Sequence, residues 1–241
     1  MKKSLWTKQI SEISCPKWGC AYCEDGTLEL DKDSFRYQET AETSQITRDE
    51  NFDPKWIKYV FSSWAKCVNA DCNQHYVFTG DGALESGQIG EAEWEDYNSF
   101  NVLFVHPSPH IIKIPQRTPD SLKQELIASF SLFWIDSAAC ANKIRVAVEE
   151  LMDQLNVPHK KNLHQRIEEY QKITPRIADK LMAIKWFGNT ASHEGRVRNS
   201  DLLSAYEIIE YVLEDIYSDM EEKIAKVAAK LLTRHAPKTA R

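Results

Sequence analysis

A chain of 241 residues, 42% of them hydrophobic, is long enough to bury a core of its own, and its length suits one large domain or two small ones. A formal charge of −6 argues against a sequence-blind nucleic-acid binder, which needs a broadly basic surface. The charge is uneven: residues 1–112 carry 10 Lys/Arg against 18 Asp/Glu and the rest 20 against 18, so a bound polyanion would favour the C-terminal half.

The opening MKKSLW has the positive start of a secretory signal, but Lys8 and Glu12 interrupt any apolar stretch before it reaches the needed length. The longest apolar-looking segment, IASFSLFWIDSAACA, is shorter than a membrane span and contains Asp136. A cytoplasmic protein without membrane contact is expected. Thiols stay reduced in that compartment, so the six cysteines read as metal ligands or core residues before disulfides.

Residues 1–114 hold five of the six cysteines, and Asp25-Gly26 and Asp81-Gly82 read as turns. Short β-like runs start at Trp56 (WIKYVF), His75 (HYVFTG) and Asn101 (NVLFVH). Polar stretches such as DKDSFRYQETAETSQITRDEN, from Asp31, offer little to a core. This half reads as a small, loop-rich β module whose own apolar burial calls for a staple.

The cysteines supply one. CAYC sets Cys20 and Cys23 two residues apart and CVNADC sets Cys67 near Cys72, so two short loops can each turn a pair of thiolates toward one tetrahedral Zn²⁺. The 43 residues between the pairs exceed a usual zinc-ribbon separation and imply an insertion, such as an added strand. Cys15 and His75 flank the pairs as substitute ligands. Four thiolates leave no open position for water, so the ion is expected to be structural rather than catalytic. Cys140, amid SAACAN, reads as a small buried hydrophobe.

Four prolines in HPSPHIIKIPQRTP mark a linker, dividing residues 1–114 from a helical domain at 115–241. Thr118 before Pro119 reads as a helix cap. Apolar residues at helical spacing run from Leu122 to Leu155, as one helix or two. Further helices are expected from Leu163 to Ile173, from Pro175 to about Phe187, and from near Ser200 through Ile216. The last drifts into a basic tail from Lys223, read as a solvated helix end or a nucleic-acid contact.

IKWFGNTASHEG, residues 184–195, admits two readings. In one, Gly188 adopts the left-handed conformation that stops a helix, and Asn189 and His193 satisfy loose backbone groups. In the other, Asn189 and His193 meet Arg145 and Glu149, which share a helix face, and Arg166 at one end of a bundle. That grouping suits metal-free phosphodiester chemistry, with His as general acid or base and Arg on the phosphate.

The paired cysteines, IKIPQRTP, ACANKIRVAVEELM, LHQRI and AIKWFGNTASH together resemble the bacterial domain-of-unknown-function family 4145, from Trp18 to about Tyr217. That family looks related to the HEPN helical superfamily, whose members include toxin and antiviral ribonucleases and occur in restriction and phage-defence settings. The resemblance implies an α+β chain: a small zinc-ribbon-like β module followed by a HEPN-like bundle of four or five helices, pairing as a homodimer. HEPN ribonucleases carry an Arg followed by a polar residue, often Asn, then His after a short gap. Here Asn189 and His193 fit, but Gly188 stands where the Arg belongs, and neither Lys185 nor Arg196 restores the order. Arg145 could replace it from the neighbouring helix. Loss of such a cation costs roughly 10²–10³ in rate. The leading expectation is a non-catalytic module docking on a defence-system protein, or on RNA through the helical domain. The alternative is a metal-independent ribonuclease using His193, Asn189, Arg145 and Glu149.

Overall fold

Five antiparallel strands build the N-terminal half: β1 (Gln9–Ile10), β2 (Leu28–Glu39), β3 (Lys58–Cys67), β4 (His75–Gln88) and β5 (Trp94–His106), in spatial order β1-β5-β4-β3-β2. A short helix, α1 (Ala41–Ile46), lies between β2 and β3. The computed structural model describes residues 1–23, 25–88 and 94–235, with the backbone alone at 192–194 and 221. Six further helices follow among the described residues: α2 (Asp120–Ile135), α3 (Ser137–Gln154), α4 (Leu163–Gln171), α5 (Pro175–Glu194), α6 (Asn199–Tyr217) and α7 (Met220–His235). The class is α+β, as expected. Among the described residues no helix is long and apolar enough to cross a membrane.

β3 alternates strictly, with Tyr59, Phe61, Ala65 and Cys67 buried and Val60 and Trp64 facing solvent, as a half-buried strand requires. Two expectations fail in this sheet. The polar stretch from Asp31 is not loop, because β2 occupies it as an edge strand. An edge strand with one wet face carries few apolar residues, and Phe35 alone reaches the core beyond Leu30. Asp81-Gly82 is not a turn but the middle of β4, paired with Val60 and Tyr59 on one side and Asn101 and Phe100 on the other. Gly82 is there for space: a Cβ would stand 2.6 Å from the Phe100 ring.

The helical half also corrects the reading. The long apolar run is two helices, broken at Asp136, whose carboxylate accepts the Ala139 N–H at 2.9 Å and caps α3. Thr118 does not cap α2; Pro119 holds that position, and the Thr118 hydroxyl is buried. α5 does not stop at Phe187 but runs through Gly188 and Asn189 to Glu194, and Gly195, at φ 69°, is the left-handed terminator. Gly188 is instead a packing residue: a Cβ there would meet the Arg145 Cβ at 2.8 Å and the Ala141 carbonyl oxygen at 3.2 Å. Its missing side chain lets α3 and α5 touch. They run antiparallel, since Ser137 at the start of α3 accepts the Val197 N–H just beyond α5 (3.2 Å).

One hydrophobic core runs through both halves. Its joint is aromatic. Trp18 lies edge-on to Trp134 of α2 at 4.9 Å between centroids, edge-on to Phe78 of β4 at 5.6 Å, and stacks with Trp6 at 6.5 Å. The indole N–H groups are satisfied locally, Trp18 by the Leu5 carbonyl (2.8 Å) and Trp134 by the Ser108 hydroxyl (3.2 Å). Lys8 crosses the joint, donating to the Trp134 carbonyl at 2.7 Å. The proline-rich segment is packed as well, with Ile111, Ile112 and Ile114 buried. Trp134→Ala should therefore cost roughly 3–5 kcal/mol and lower the melting temperature of sheet and helices together. Separate transitions for the two halves, with the helical one unmoved, would contradict a shared core.

Candidate metal centre

Two loops converge beneath one end of the sheet. The first, after Trp18, is closed by the Cys20 N–H on the Gly26 carbonyl (2.8 Å) and the Leu28 N–H on the Trp18 carbonyl (2.9 Å). The second is the β3–β4 turn, where Cys67 ends β3, its N–H bonding the Gln74 carbonyl (2.9 Å), and Asn73 takes the left-handed conformation at φ 49°. A bond from the Val68 N–H to the Thr27 carbonyl (2.9 Å) stitches the loops together.

The sulfurs of Cys20, Cys23, Cys67 and Cys72 all lie within 4.8 Å of one another, close enough to hold a metal ion. Cys20–Cys72 and Cys23–Cys67 are each 3.7 Å apart. A tetrahedron of sulfurs about 2.3 Å from a central ion has edges of about 3.8 Å, so the spacing fits such an ion. Backbone N–H groups point at the sulfurs: Tyr22 at Cys20 (3.4 Å), Gly26 at Cys23 (3.3 Å) and Asn69 at Cys67 (3.4 Å), with the Tyr76 hydroxyl on Cys20 at 3.1 Å. Donors around a thiolate hold its charge and orient its lone pairs, the role outer groups play at metal sites. A Cβ on Gly26 would lie 2.2 Å from the Cys67 sulfur, so only glycine leaves room for the fourth ligand.

The thiols differ in ease of ionisation. Burial works against the Cys23 thiolate, but N–H groups of Gly26 and Asp25, with Asn69 and Cys67, outweigh it and bring the group down to about 6. Burial drives Cys67 up to about 12, and neighbouring sulfurs oppose its charging. All four thiols can ionise together in so small a volume only beside a cation. Neither proposed substitute ligand joins the cluster among the described residues: the Cys15 thiol faces the Leu28 carbonyl at 3.9 Å and His75 pairs with Lys66 in the sheet. The inter-pair segment holds more than an added strand, namely β2, α1 and β3. Cys140 is fully buried and hydrogen-bonded with Ser129 and Tyr206 across α2, α3 and α6, and burial raises its thiol to about 12.

The second group of candidates lies along α3 and α5. Arg145 donates to the Glu149 carboxylate at 2.5 Å and to the Asn142 side chain at 3.3 Å, and its stem lies against Gly188, next to Asn189. Arg145, Glu149 and Asn189 are all half-buried. His193 is in the last turn of α5, and its side chain lies outside the described residues. Arg166 does not join them, because it is buried against α3, bonded to Asp153 (2.7 Å) and to the Val157 carbonyl (2.9 Å). Lys185, set aside in the sequence because it does not restore the motif order, is buried one turn before Asn189, only 8% exposed and with its ammonium 3.3 Å from the centroid of the Trp186 ring. Its signal was faint: a lysine at an inward position of an apolar helical pattern.

A sulfur-clustered antiparallel sheet sharing one core with a helical bundle is the class of protein these observations define. Residues 128–233 match the family described as a domain of unknown function (DUF4145), and residues 8–108 match a second domain of unknown function (DUF8608). The first match begins within α2, so the cysteine-bearing sheet lies within the second match. No curated protein and no solved structure matches the chain.

Three substitutions probe the two sites. Cys67→Ser removes one ligand and should reduce bound metal and melting temperature together, whereas Cys15→Ser should leave metal content unchanged when measured by elemental analysis. Gly188→Leu forces α3 and α5 apart and should destabilise by about 1–3 kcal/mol. A variant as stable as the parent in a urea melt would refute the close packing of these helices.

Proposed function

We propose that this protein is a non-catalytic interaction module whose sheet is stapled by a structural Zn²⁺ on Cys20, Cys23, Cys67 and Cys72. Four soft thiolates in tetrahedral spacing favour Zn²⁺ over hard cations and leave no open coordination position. The ion holds two loops; the solvent face of the sheet does the binding.

The observation that carries this reading is that face. Val60, Trp64 and Phe104 are 53%, 52% and 47% exposed, and Phe104 stacks with His106. Register places Trp64 opposite Val77 and Val77 opposite His106, with Ser62, Thr79 and Phe104 forming the next row. Apolar side chains thus cross three neighbouring strands, an arrangement suited to a partner surface. Asp31 pairs with Trp64 and Asp81 with Val60, while Arg36 pairs with Ser62 and Lys66 with Glu29, so charges of both signs border the patch, as at the rim of a protein interface. The partner of this face is a protein, in the setting implied by the family a component of a phage-defence or restriction system. The bundle, HEPN-like by the same resemblance, pairs as a homodimer.

The ribonuclease reading retains one observation in its favour: Arg145, Glu149 and Asn189 gather where α3 meets α5. Against it, the Arg145 guanidinium is already engaged by Glu149 and Asn142, and a phosphate would have to displace them. Purified chain incubated with RNA in chelator should leave the RNA intact, and His193→Ala should behave identically. Cleavage lost in that variant would overturn the non-catalytic reading. A photo-crosslinking residue at Ser62, between the Trp64 and Phe104 rows, should give a discrete protein adduct in cells that Trp64→Ser abolishes. Adducts to RNA alone would refute a protein partner. Elemental analysis should find one zinc per chain, and another metal, or none, would refute the staple.

A further inference from the structure

α7 is a helix of 16 residues with almost nothing packed on it. It is fastened only at its beginning: Arg117 clasps Glu222 through two bonds of 2.8 Å, Lys223 pairs with Asp219 at 2.8 Å, and the Ser218 hydroxyl accepts the Met220 N–H at 3.0 Å. Met220, Ile224, Val227 and Leu231 are each more than half exposed. An isolated helix of this length is marginal in water, because its backbone bonds barely offset the cost of nucleation. An apolar face left in solvent adds a further penalty.

The side chains fall into ordered stripes. Met220, Ile224, Val227 and Leu231 step by four, three and four residues, the spacing of a single straight seam one residue wide per turn. Lys223, Lys226, Lys230 and Arg234 step by three, four and four, a line of cations immediately beside that seam. On its other side lie Ala225, Ala228 and Ala229, with Leu232 among them. The seam is narrow, small residues admit a close neighbour, and one flank carries uniform positive charge.

We propose that α7 is one half of a helix-to-helix interface whose other half is an amphipathic helix of a partner protein, apolar along its seam and acidic along the flank facing the cations. This deepens the interaction reading above and rests on it, through a surface distinct from the sheet face. Charge decides the occupant. A second copy of α7 packed antiparallel would set cation against cation, which destabilises a pair, and packed parallel would set each cation line against the alanine flank with no charge pair gained. A membrane surface favours aromatic anchors on the apolar face, and α7 has no aromatic residue.

The probe is a fluorescent synthetic helix with Leu and Ile at its heptad core and Glu on its flanks, titrated against the full chain. Its control carries Lys in place of Glu. The acidic helix should bind at least about tenfold tighter than the control. Lys226→Glu with Lys230→Glu should reverse that preference, and Ile224→Ser with Leu231→Ser should abolish binding of both. These side chains are exposed, so the melting temperature of the bundle should hold in both variants. Equal binding of the two peptides would overturn the proposal. So would α7-dependent binding to phosphatidylserine vesicles with none to the acidic helix, or self-association lost in the same variants. Trp64→Ser should leave peptide binding unchanged, and His193-dependent RNA cleavage would sink the non-catalytic reading without altering these affinities.

Discussion

Convergence of four sulfurs is the constraint on which the front half depends. The sheet has one very short edge strand, β1, and one long polar edge, β2, so apolar burial alone closes it poorly at the end where the cysteines lie. The two cysteine loops meet there, and a bound cation would replace the missing core. Trp18, two residues before Cys20, transmits this order to the rest of the molecule through its contacts with Trp6, Phe78 and Trp134. Whatever fixes the Cys20 loop also fixes the platform on which α2 rests. The sulfur cluster and the sheet-to-helix joint therefore form one mechanical unit.

Absent side chains matter as much here as present ones. Gly26 leaves room for a fourth ligand, Gly82 for the Phe100 ring, and Gly188 for the stem of Arg145. Each of these glycines sets a backbone against a bulky neighbour, and among the described glycines Gly195 alone is needed for its left-handed conformation. Glycine at 188 thus has a structural consequence. It brings α3 close enough that Arg145 lies over the position, engaged by Glu149 and Asn142 on its own helix.

Features carried by local chemistry were legible in the sequence. The close cysteine pairs announced a sulfur cluster able to hold a metal because each loop fixes its own two sulfurs, and the runs WIKYVF, HYVFTG and NVLFVH announced parts of β3, β4 and β5. Helix starts at Pro175 and Leu163 followed from local signals, and Asn162 caps the latter by accepting the Gln165 N–H. What could not be read depends on distant neighbours. β2 looks like loop because its outer face is wet, Asp81-Gly82 looks like a turn until the Phe100 ring is placed over it, and Gly188 looks like a helix stop until Arg145 is set against it. Arg166 was misassigned for the same reason, since its partners Asp153 and Val157 lie on α3 and just beyond it. At the candidate site the sequence named the four sulfurs but not the donors that support them, because Tyr76 reaches Cys20 from a strand more than fifty residues away.

The two exposed surfaces differ in shape and charge, and this bears on what each can hold. The sheet face is broad, aromatic and bordered by Asp31 and Asp81 as well as Arg36 and Lys66; α7 is a single helix lined on one flank by cations. Two apolar surfaces on one chain invite the thought that one copy's helix covers another copy's sheet. Symmetry argues otherwise: such a contact is head-to-tail, and unless its rotation happens to close a ring it propagates into a filament. Shape agrees, because a seam one residue wide interlocks with the ridge of another helix and leaves most of a three-strand aromatic patch uncovered. The two faces are therefore better read as separate docking surfaces, one for a protein surface of mixed charge and one for an acidic helix, held in fixed relation by the tryptophan joint.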